Sequence, residues 1–317
     1  MTQEAVLSTS VLDDSYKLLQ RKKRTDTAIA MQQLATYLMT QKKALPPNEW
    51  TAFTQIVQTH PINNLLREAP QFAHSQTWPR GYKGDAEMMD LIYGMGNNGQ
   101  RLARTSALGL QINAAQEEWP THQAAHRRLK KIAQTIDTVA HEKPGKAAIL
   151  SVACGHLREI VYSHAAIANL IGQWIALDQD EKSLALIQKS YQHVPIQCQH
   201  QSIASLLKGE KIGKFDLIYA AGLYDYLKVN TAKKLTETLF DNLQPGGRLL
   251  IANFTPNTKE MGILESLMDW TLIYRDMKDM AQLTTGISQH KAAINIYNDL
   301  LNSNNRLVYL EVKRKIA

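Results

Sequence analysis

The chain has 317 residues, 44% of them hydrophobic and 21% charged, with a formal net charge of +7. Such a length points to two domains, or one large domain with an appendage, and the balance is that of a globular chain with a core of its own. The two cysteines, Cys154 and Cys198, exclude a disulfide framework and a Cys-x-x-Cys pair, and they fit a reducing compartment.

Met1 to Asp14 is polar and acidic, unlike a signal peptide. No run approaches the ~20 apolar residues of a membrane span, so the expectation is a cytoplasmic protein without one. Residues 1 to about 75 read as helical, with apolar residues three and four apart over Val11–Leu19 and Ala28–Met39. Pro46-Pro47 breaks the pattern, and Asn48 is placed to cap a helix running to Val57. The basic runs Arg21-Lys22-Lys23-Arg24 and Lys313-Arg314-Lys315 carry no interleaved aromatic residues, so they read as solvated surface, and no nucleic-acid partner is expected. A glycine-rich stretch, Trp78-Pro79-Arg80-Gly81-Tyr82-Lys83-Gly84-Asp85, precedes a short helix over Met88–Tyr93. A helical region follows from Gly99 to about His141, interrupted near Trp119-Pro120.

The texture changes at Lys143-Pro144-Gly145-Lys146. Strands are expected at Ala147–Ala153, Trp174–Leu177, Val194–Gln199, Phe215–Ala220 and Arg248–Asn253, with helices at His156–Ile171, Glu181–Tyr191 and Thr231–Leu243. This alternation implies an α/β, Rossmann-like doubly wound parallel sheet. Two last strands, Ala292–Ile296 and Arg306–Val312, would form its antiparallel edge. The expected domains are a helical N-terminal cap over residues 1–142 and a ligand-binding domain over 143–317.

Chemistry concentrates where the first two strands end. Ile149 to Glu159 reads as strand, tight turn and helix start, with Gly155 admitting a ligand close to the backbone. Asp178 ends the next strand, and an acid about 20 residues beyond such a turn can accept the hydroxyls of a ribose; its other reading is a cap for the helix that follows, and the turn and the acid together favour the nucleoside. A pyrophosphate fits poorly, because His156, Leu157 and Arg158 stand where a dinucleotide site needs glycine. The charges of Arg158 and Glu159 suit a zwitterion, as in S-adenosylmethionine (SAM). No Gly-Lys-Ser/Thr, Gly-x-Ser-x-Gly or His-Glu-x-x-His motif supports a P-loop, a hydrolase or a metal site.

Val152-Ala153-Cys154-Gly155, Leu177-Asp178, Lys214 to Tyr219 and Leu243-Gln244-Pro245-Gly246-Gly247-Arg248, in that order, resemble class I SAM-dependent methyltransferases. Arg80 to Asp85, Ala221 to Leu227, Ala252 to Pro256 and Asp269 to Arg275 further resemble a bacterial subfamily labelled as making 3-hydroxypalmitate methyl ester. Leu157, where methyltransferases usually have a second glycine, is similar to azetidine-2-carboxylate synthases, which cyclise SAM and release methylthioadenosine. The resemblance implies SAM as cosubstrate or substrate, a small-molecule partner, and a loop carrying Arg80 and Tyr82 that closes over the ligand. It also argues against base methylation, because Ala220-Ala221-Gly222 stands where Asn/Asp-Pro-Pro-aromatic is usual.

The expected cofactor-binding residues are Arg80, Tyr82, Cys154, Gly155, Arg158, Glu159, Asp178, Gln179, Ser202, Ala221 and Gly222. The expected catalytic residues are Tyr82, Tyr224, Asp225 and Asn253, with Tyr224 facing the mouth of the site. His156 is expected to pack rather than act as a base. Three functions follow: small-molecule methyl transfer, cyclisation of SAM, or a nucleoside-binding module without catalysis.

Overall fold

The computed structural model describes residues 9–210, 212–256, 258–300 and 305–316, so the first eight residues of the expected helical stretch lie outside it. Eight helices come first: α1 (Ser10–Gln20), α2 (Arg24–Ala44), α3 (Pro47–Thr59), α4 (Ile62–Leu66), α5 (Pro70–Thr77), α6 (Ala86–Tyr93), α7 (Asn98–Ala103) and α8 (Ala107–Glu117). The long α9 (Pro120–Glu142) follows. Then come β1 (Ala147–Val152), α10 (His164–Ile167), β2 (Ile171–Asp178), α11 (Glu181–Ser190), β3 (Ile196–His200), α12 (Ile203–Leu207) and β4 (Phe215–Ala220). The chain ends with α13 (Val229–Asp241), β5 (Leu243–Phe254), α14 (Met261–Ser266), α15 (Met277–Gln282), β6 (Ala292–Asn298) and β7 (Leu307–Arg314).

Local chemistry sets many of these limits. Asp85 and Ser106 cap α6 and α8 by accepting the amides of Met88 and Gly109. At α3 the expected cap fails: Asn48 lies inside the helix, which starts at Pro47, whose fixed φ suits a first helical position. The basic run Arg21–Arg24 lies at the exposed α1–α2 turn.

The described residues form two compact units. One comprises those up to Ala125 together with Thr258–Thr271; the other comprises those from His126 onward without that segment. The sequence expectation put its boundary at 142/143. In the structure most of α9 goes with the sheet, because its stripe Leu129, Ile132, Ala133, Ile136 and Ala140 is buried. Thr258–Thr271 returns to the helical unit. There α14 lies so close to α2 that a side chain on Gly262 would meet the Leu38 carbonyl carbon at 2.4 Å. Glu265 of α14 accepts the Trp50 indole N–H at 2.8 Å and pairs with Lys42 at 2.6 Å.

The second unit carries one seven-stranded sheet in the order β3-β2-β1-β4-β5-β7-β6. β1 to β5 run parallel, and β7 is antiparallel to both β5 and β6. This is the expected Rossmann-like doubly wound sheet with its antiparallel edge. All six residues of β4 are buried, as a central strand covered on both faces requires. Leu150, Val152, Ile218 and Ile251 pack in one cluster with Leu235 and Leu239 of α13. Chain order reverses between β1 and β4, so the crevice that α/β sheets use for ligands opens beyond the carboxyl ends of those strands.

The expected helix His156–Ile171 is absent. A 3₁₀ turn, Arg158–Tyr162, and the short α10 replace it. Leu157 is left-handed there, which a right-handed helix cannot contain. The Asp137 carboxylate of α9 then gathers the Ser163 hydroxyl at 2.6 Å and the amides of His164 and Ala165 at 3.1 and 2.9 Å. Among the described residues no helix is long and apolar enough to cross a membrane, and no group of three or more His, Cys, Asp or Glu could hold a metal ion.

Candidate functional site

The turn after β1 alternates handedness. Ala153, Gly155 and Leu157 all have positive φ, at 53°, 55° and 53°. Only the middle one is glycine; each of the others costs on the order of 1–2 kcal/mol in this conformation. The turn is held from β2. The Gly155 amide donates to Asp178 Oδ2 at 2.8 Å, and the Cys154 amide to the Leu177 carbonyl at 3.1 Å. Asp178 Oδ1 accepts the Asp180 amide at 2.9 Å. Sequence reasoning offered Asp178 as ribose acceptor or helix cap; the structure makes it the clamp of the glycine turn, while Asp180 caps α11. The Gln179 backbone also hydrogen-bonds to this carboxylate, so three of its roughly four lone-pair sites are engaged by the chain. Burial raises the Asp178 carboxyl above its ordinary range, against the pull of those amides.

Cys154 sits in the same turn. Burial, then the charges of Asp178 and Glu159, hold its thiol well above its usual range, and the thiol donates to the Gly155 carbonyl at 3.7 Å. Gln179 is exposed, and its carbonyl accepts His200 Nε2 at 3.0 Å. Ser202 precedes α12 without a side-chain cap, its carbonyl accepting the Ser205 hydroxyl at 2.8 Å.

A buried polar group lies where β1 and β4 end. Glu159 accepts the hydroxyl of Tyr219, and Tyr219 faces Ser151 across the strand pair. Burial raises the Glu159 carboxyl, opposed by the Tyr219 bond and by the charges of Arg128 and Arg158. Arg158 reaches the Tyr191 hydroxyl at 3.2 Å. His156 is buried, 3% exposed, as packing requires. Ala221 and Gly222, half-buried, follow β4.

Arg128 of α9 belongs to this group, and sequence reasoning missed it. It is 3% exposed, its guanidinium 5.5 Å from the Phe254 ring and its terminal nitrogens 3.8 Å from where a Gly222 side chain would begin. A signal was present: Arg128 precedes Ile132 by four residues, on the buried stripe of α9. In a helix rich in basic residues that spacing is indistinguishable from ordinary amphipathicity.

Three of the segments that resemble the bacterial subfamily meet in one knot. Asp225 Oδ1 accepts the Phe254 amide at 2.8 Å, and the Asp225 carbonyl accepts the Ile273 amide at 2.7 Å. Arg275 donates to the Tyr224 carbonyl at 2.6 Å, to Asn253 Oδ1 at 2.8 Å and to the Leu227 carbonyl. The Asn253 amide donates to the carbonyls of Phe254 and Ile273, each at 2.9 Å. These contacts correct two catalytic expectations. Tyr224 does not face the mouth: it is fully buried in the core, its hydroxyl 3.0 Å from Thr236. Asn253 spends its amide on backbone and Arg275 rather than on a ligand. Asp225 is 2% exposed, and burial pushes its carboxyl up to about 6 despite Arg128, the Phe254 amide and Arg275.

Arg80 and Tyr82 stand in the helical unit. Arg80 donates to Glu87 Oε1 at 2.8 Å, while Arg101 takes the other oxygen at 2.6 Å. Tyr82 lines a small concavity with His74, Trp78, Asp85, Met268 and Trp270. His74 Nε2 lies 2.9 Å from both Asp85 oxygens, and Lys83 lies 4.0 Å from the Trp78 ring centre. Of the expected binding residues, the structure thus brings together Cys154, Gly155, Glu159 and Asp178 around one turn, with Gly222 beside Arg128.

No protein-family model matches the sequence, and no curated protein matches it. Solved structures do. A "possible exported protein" from Bordetella parapertussis is 16% identical over 86% of this chain and all of its own, with a TM-score of 0.58. The magnesium protoporphyrin IX methyltransferase of Synechocystis PCC 6803, with bound S-adenosylhomocysteine, is 14% identical over 76% of this chain and all of its own, with a TM-score of 0.49. The N-methyltransferase NodS of Bradyrhizobium japonicum WM9, in complex with S-adenosylhomocysteine, is 12% identical over 58% of this chain and 86% of its own, with a TM-score of 0.42. At these identities the likeness is one of fold.

Proposed function

We propose that the chain is a SAM-dependent transferase acting on a small molecule, with methyl transfer as its reaction. One observation carries the reading: the 2.8 Å bond from the Gly155 amide to Asp178, formed at the carboxyl ends of β1 and β2 beside the strand-order reversal. A side-chain-free bend next to a buried acid at the end of the adjacent strand fits a nucleoside and its ribose. The buried pair of opposite charges, Glu159 and Arg128, fits a zwitterionic amino-acid end rather than a pyrophosphate. Bound SAM supplies an activated methyl on a good leaving group. The chain's own residues then orient it and exclude water, so alignment and fixed charge are its main contributions.

A second reading, cyclisation of SAM to azetidine-2-carboxylate, draws on Leu157. This residue is 1% exposed in a left-handed slot where methyltransferases usually have glycine. In that reaction the SAM amine displaces the thioether and loses a proton. Mass spectrometry of the pure protein incubated with SAM separates the readings. S-adenosylhomocysteine appearing only with an added small-molecule acceptor supports transfer. Methylthioadenosine with a four-membered imino acid, formed from SAM alone, replaces transfer by cyclisation. Bound but unchanged SAM under both conditions would leave a binding module, and no binding would overturn the whole reading.

A further inference from the structure

A helix usually turns apolar side chains inward, but α5 buries polar ones beside Phe72: Gln71, His74 and Ser75, at i, i+3 and i+4. His74 lines the concavity of the helical unit together with Trp78, Tyr82 and Trp270. The empty space there is about 220 Å³, open solvent at its mouth included. Pockets that take a whole drug-sized ligand begin at roughly 300 Å³, so a head group is what fits.

Asp85 fixes the imidazole. An ionised carboxylate only accepts, so Nε2 of His74, 2.9 Å from both Asp85 oxygens, carries the proton. Asp85 is itself held by the Met88 amide at 2.8 Å, the cap of α6. With the imidazole neutral, Nδ1 is an acceptor, and it makes no hydrogen bond among the described residues. Nor is it sealed in: the enclosed side-chain nitrogens without a partner do not include it, so it meets open space.

The charges complete the picture. Asp85 is buried, and among the described residues it pairs with His74 and with no lysine or arginine. Lys83 is paired with Asp269 at 2.5 Å, and its ammonium lies 4.0 Å from the Trp78 ring centre. One wall therefore already holds an ammonium against its electron-rich face, while the Asp85 charge still lacks a cation. An incoming anion would face both that carboxylate and the rings. A hydroxyl would satisfy Nδ1 but leave the buried charge unanswered.

We propose that this concavity is a binding site for a primary alkylammonium head group. Its N–H donates to His74 Nδ1, and its charge answers Asp85 and the aromatic walls. Every residue involved lies in the helical unit, so the inference goes beyond the SAM reading and does not depend on it.

The test is nitrogen NMR of the full chain carrying labelled histidine, with the His74 signals identified by their absence from His74→Gln. In the wild type, Nδ1 should be the unprotonated nitrogen, and propylammonium should shift it saturably. Propanol, similar in shape but uncharged, should bind about 10-fold more weakly or worse, the scale of a hydrogen bond to a charged group. Asp85→Asn keeps an oxygen to cap α6, but its amide N–H makes Nε2 the acceptor and moves the proton to Nδ1. Propylammonium binding should then fall by a similar factor. A protonated Nδ1 in the wild type would overturn the proposal, as would an equal response to propanol or undiminished binding in Asp85→Asn. SAM giving the same shift, displaced by propylammonium, would assign the concavity to SAM and overturn it as a separate site. Should Asp85→Asn not fold, the wild-type tautomer and the propanol comparison decide the matter.

Discussion

Asp225 accepts the Phe254 amide and has Arg128 and Arg275 as its opposite charges, yet burial still pushes its carboxyl from 3.8 up to about 6. The unfolded chain releases that proton near 3.8, whereas the folded chain keeps it until about 6. Between these values the folded state therefore binds more protons, and this group's contribution to stability falls as pH rises through the window. Urea denaturation of wild type and Asp225→Asn across pH 4–6 should show that component only in the wild type. Parallel pH profiles would mean that the carboxyl titrates normally. The same residue marks a limit of reading sequence. Tyr224, Asp225 and Asn253 were recognisable as polar residues at strand ends. Whether such a group faces a ligand or a neighbouring carbonyl depends on Arg275, more than twenty residues further on, which no local pattern links to them. Gly155 and Asp178 were legible because their relation follows from strand order alone: adjacent parallel strands end together, and so do the residues that follow them.

At the scale of elements, periodicity located the long helices and the strands, because each buries one stripe or both faces. Short elements escaped it. α4, α12, α14 and α15 span five or six residues each, too few for a period to declare itself. Of these α14 matters most, since it docks on α2 through backbone contact. A methyl group at Gly262 would come within 2.4–2.6 Å of the carbonyl of Leu38 and the amide nitrogen of Met39. Backbone cannot give way as a side-chain tip can, so Gly262→Ala should destabilise the protein by about 1–3 kcal/mol, the cost of overpacking. Gly99, also helical, has nothing within 4 Å of its Cβ position. There the same change should be neutral or stabilising by up to ~1 kcal/mol. Chemical denaturation of the two variants checks this pair, and equal effects would refute the close packing of α14 on α2.

For the molecule as a whole, the helical unit is built from two separate stretches of chain. The fragment 1–125 lacks Thr258–Thr271, and so leaves Trp50 and Lys42 without Glu265 and the Leu38 backbone without its cover. That fragment should unfold with low cooperativity. A synthetic peptide of residues 258–271 added in trans should raise its helicity and its thermal midpoint, both read by circular dichroism. A fragment that melts sharply and ignores the peptide would show that the returning segment contributes nothing to that unit.

The amino-acid order by itself determined the alternating strands and helices, the reversal of strand order beside Gly155, the antiparallel edge and the acid that ends β2. Each of these follows from short-range patterning and from the rule that crossovers between parallel strands keep one hand. Tertiary structure alone decided that Tyr224 and Asn253 turn inward, that Thr258–Thr271 joins the helical unit, and that Arg128 reaches the strand ends. The physical reason is common to all three. A buried polar group takes its partner from whatever the fold brings within about 3 Å, and separation along the chain places no limit on that choice.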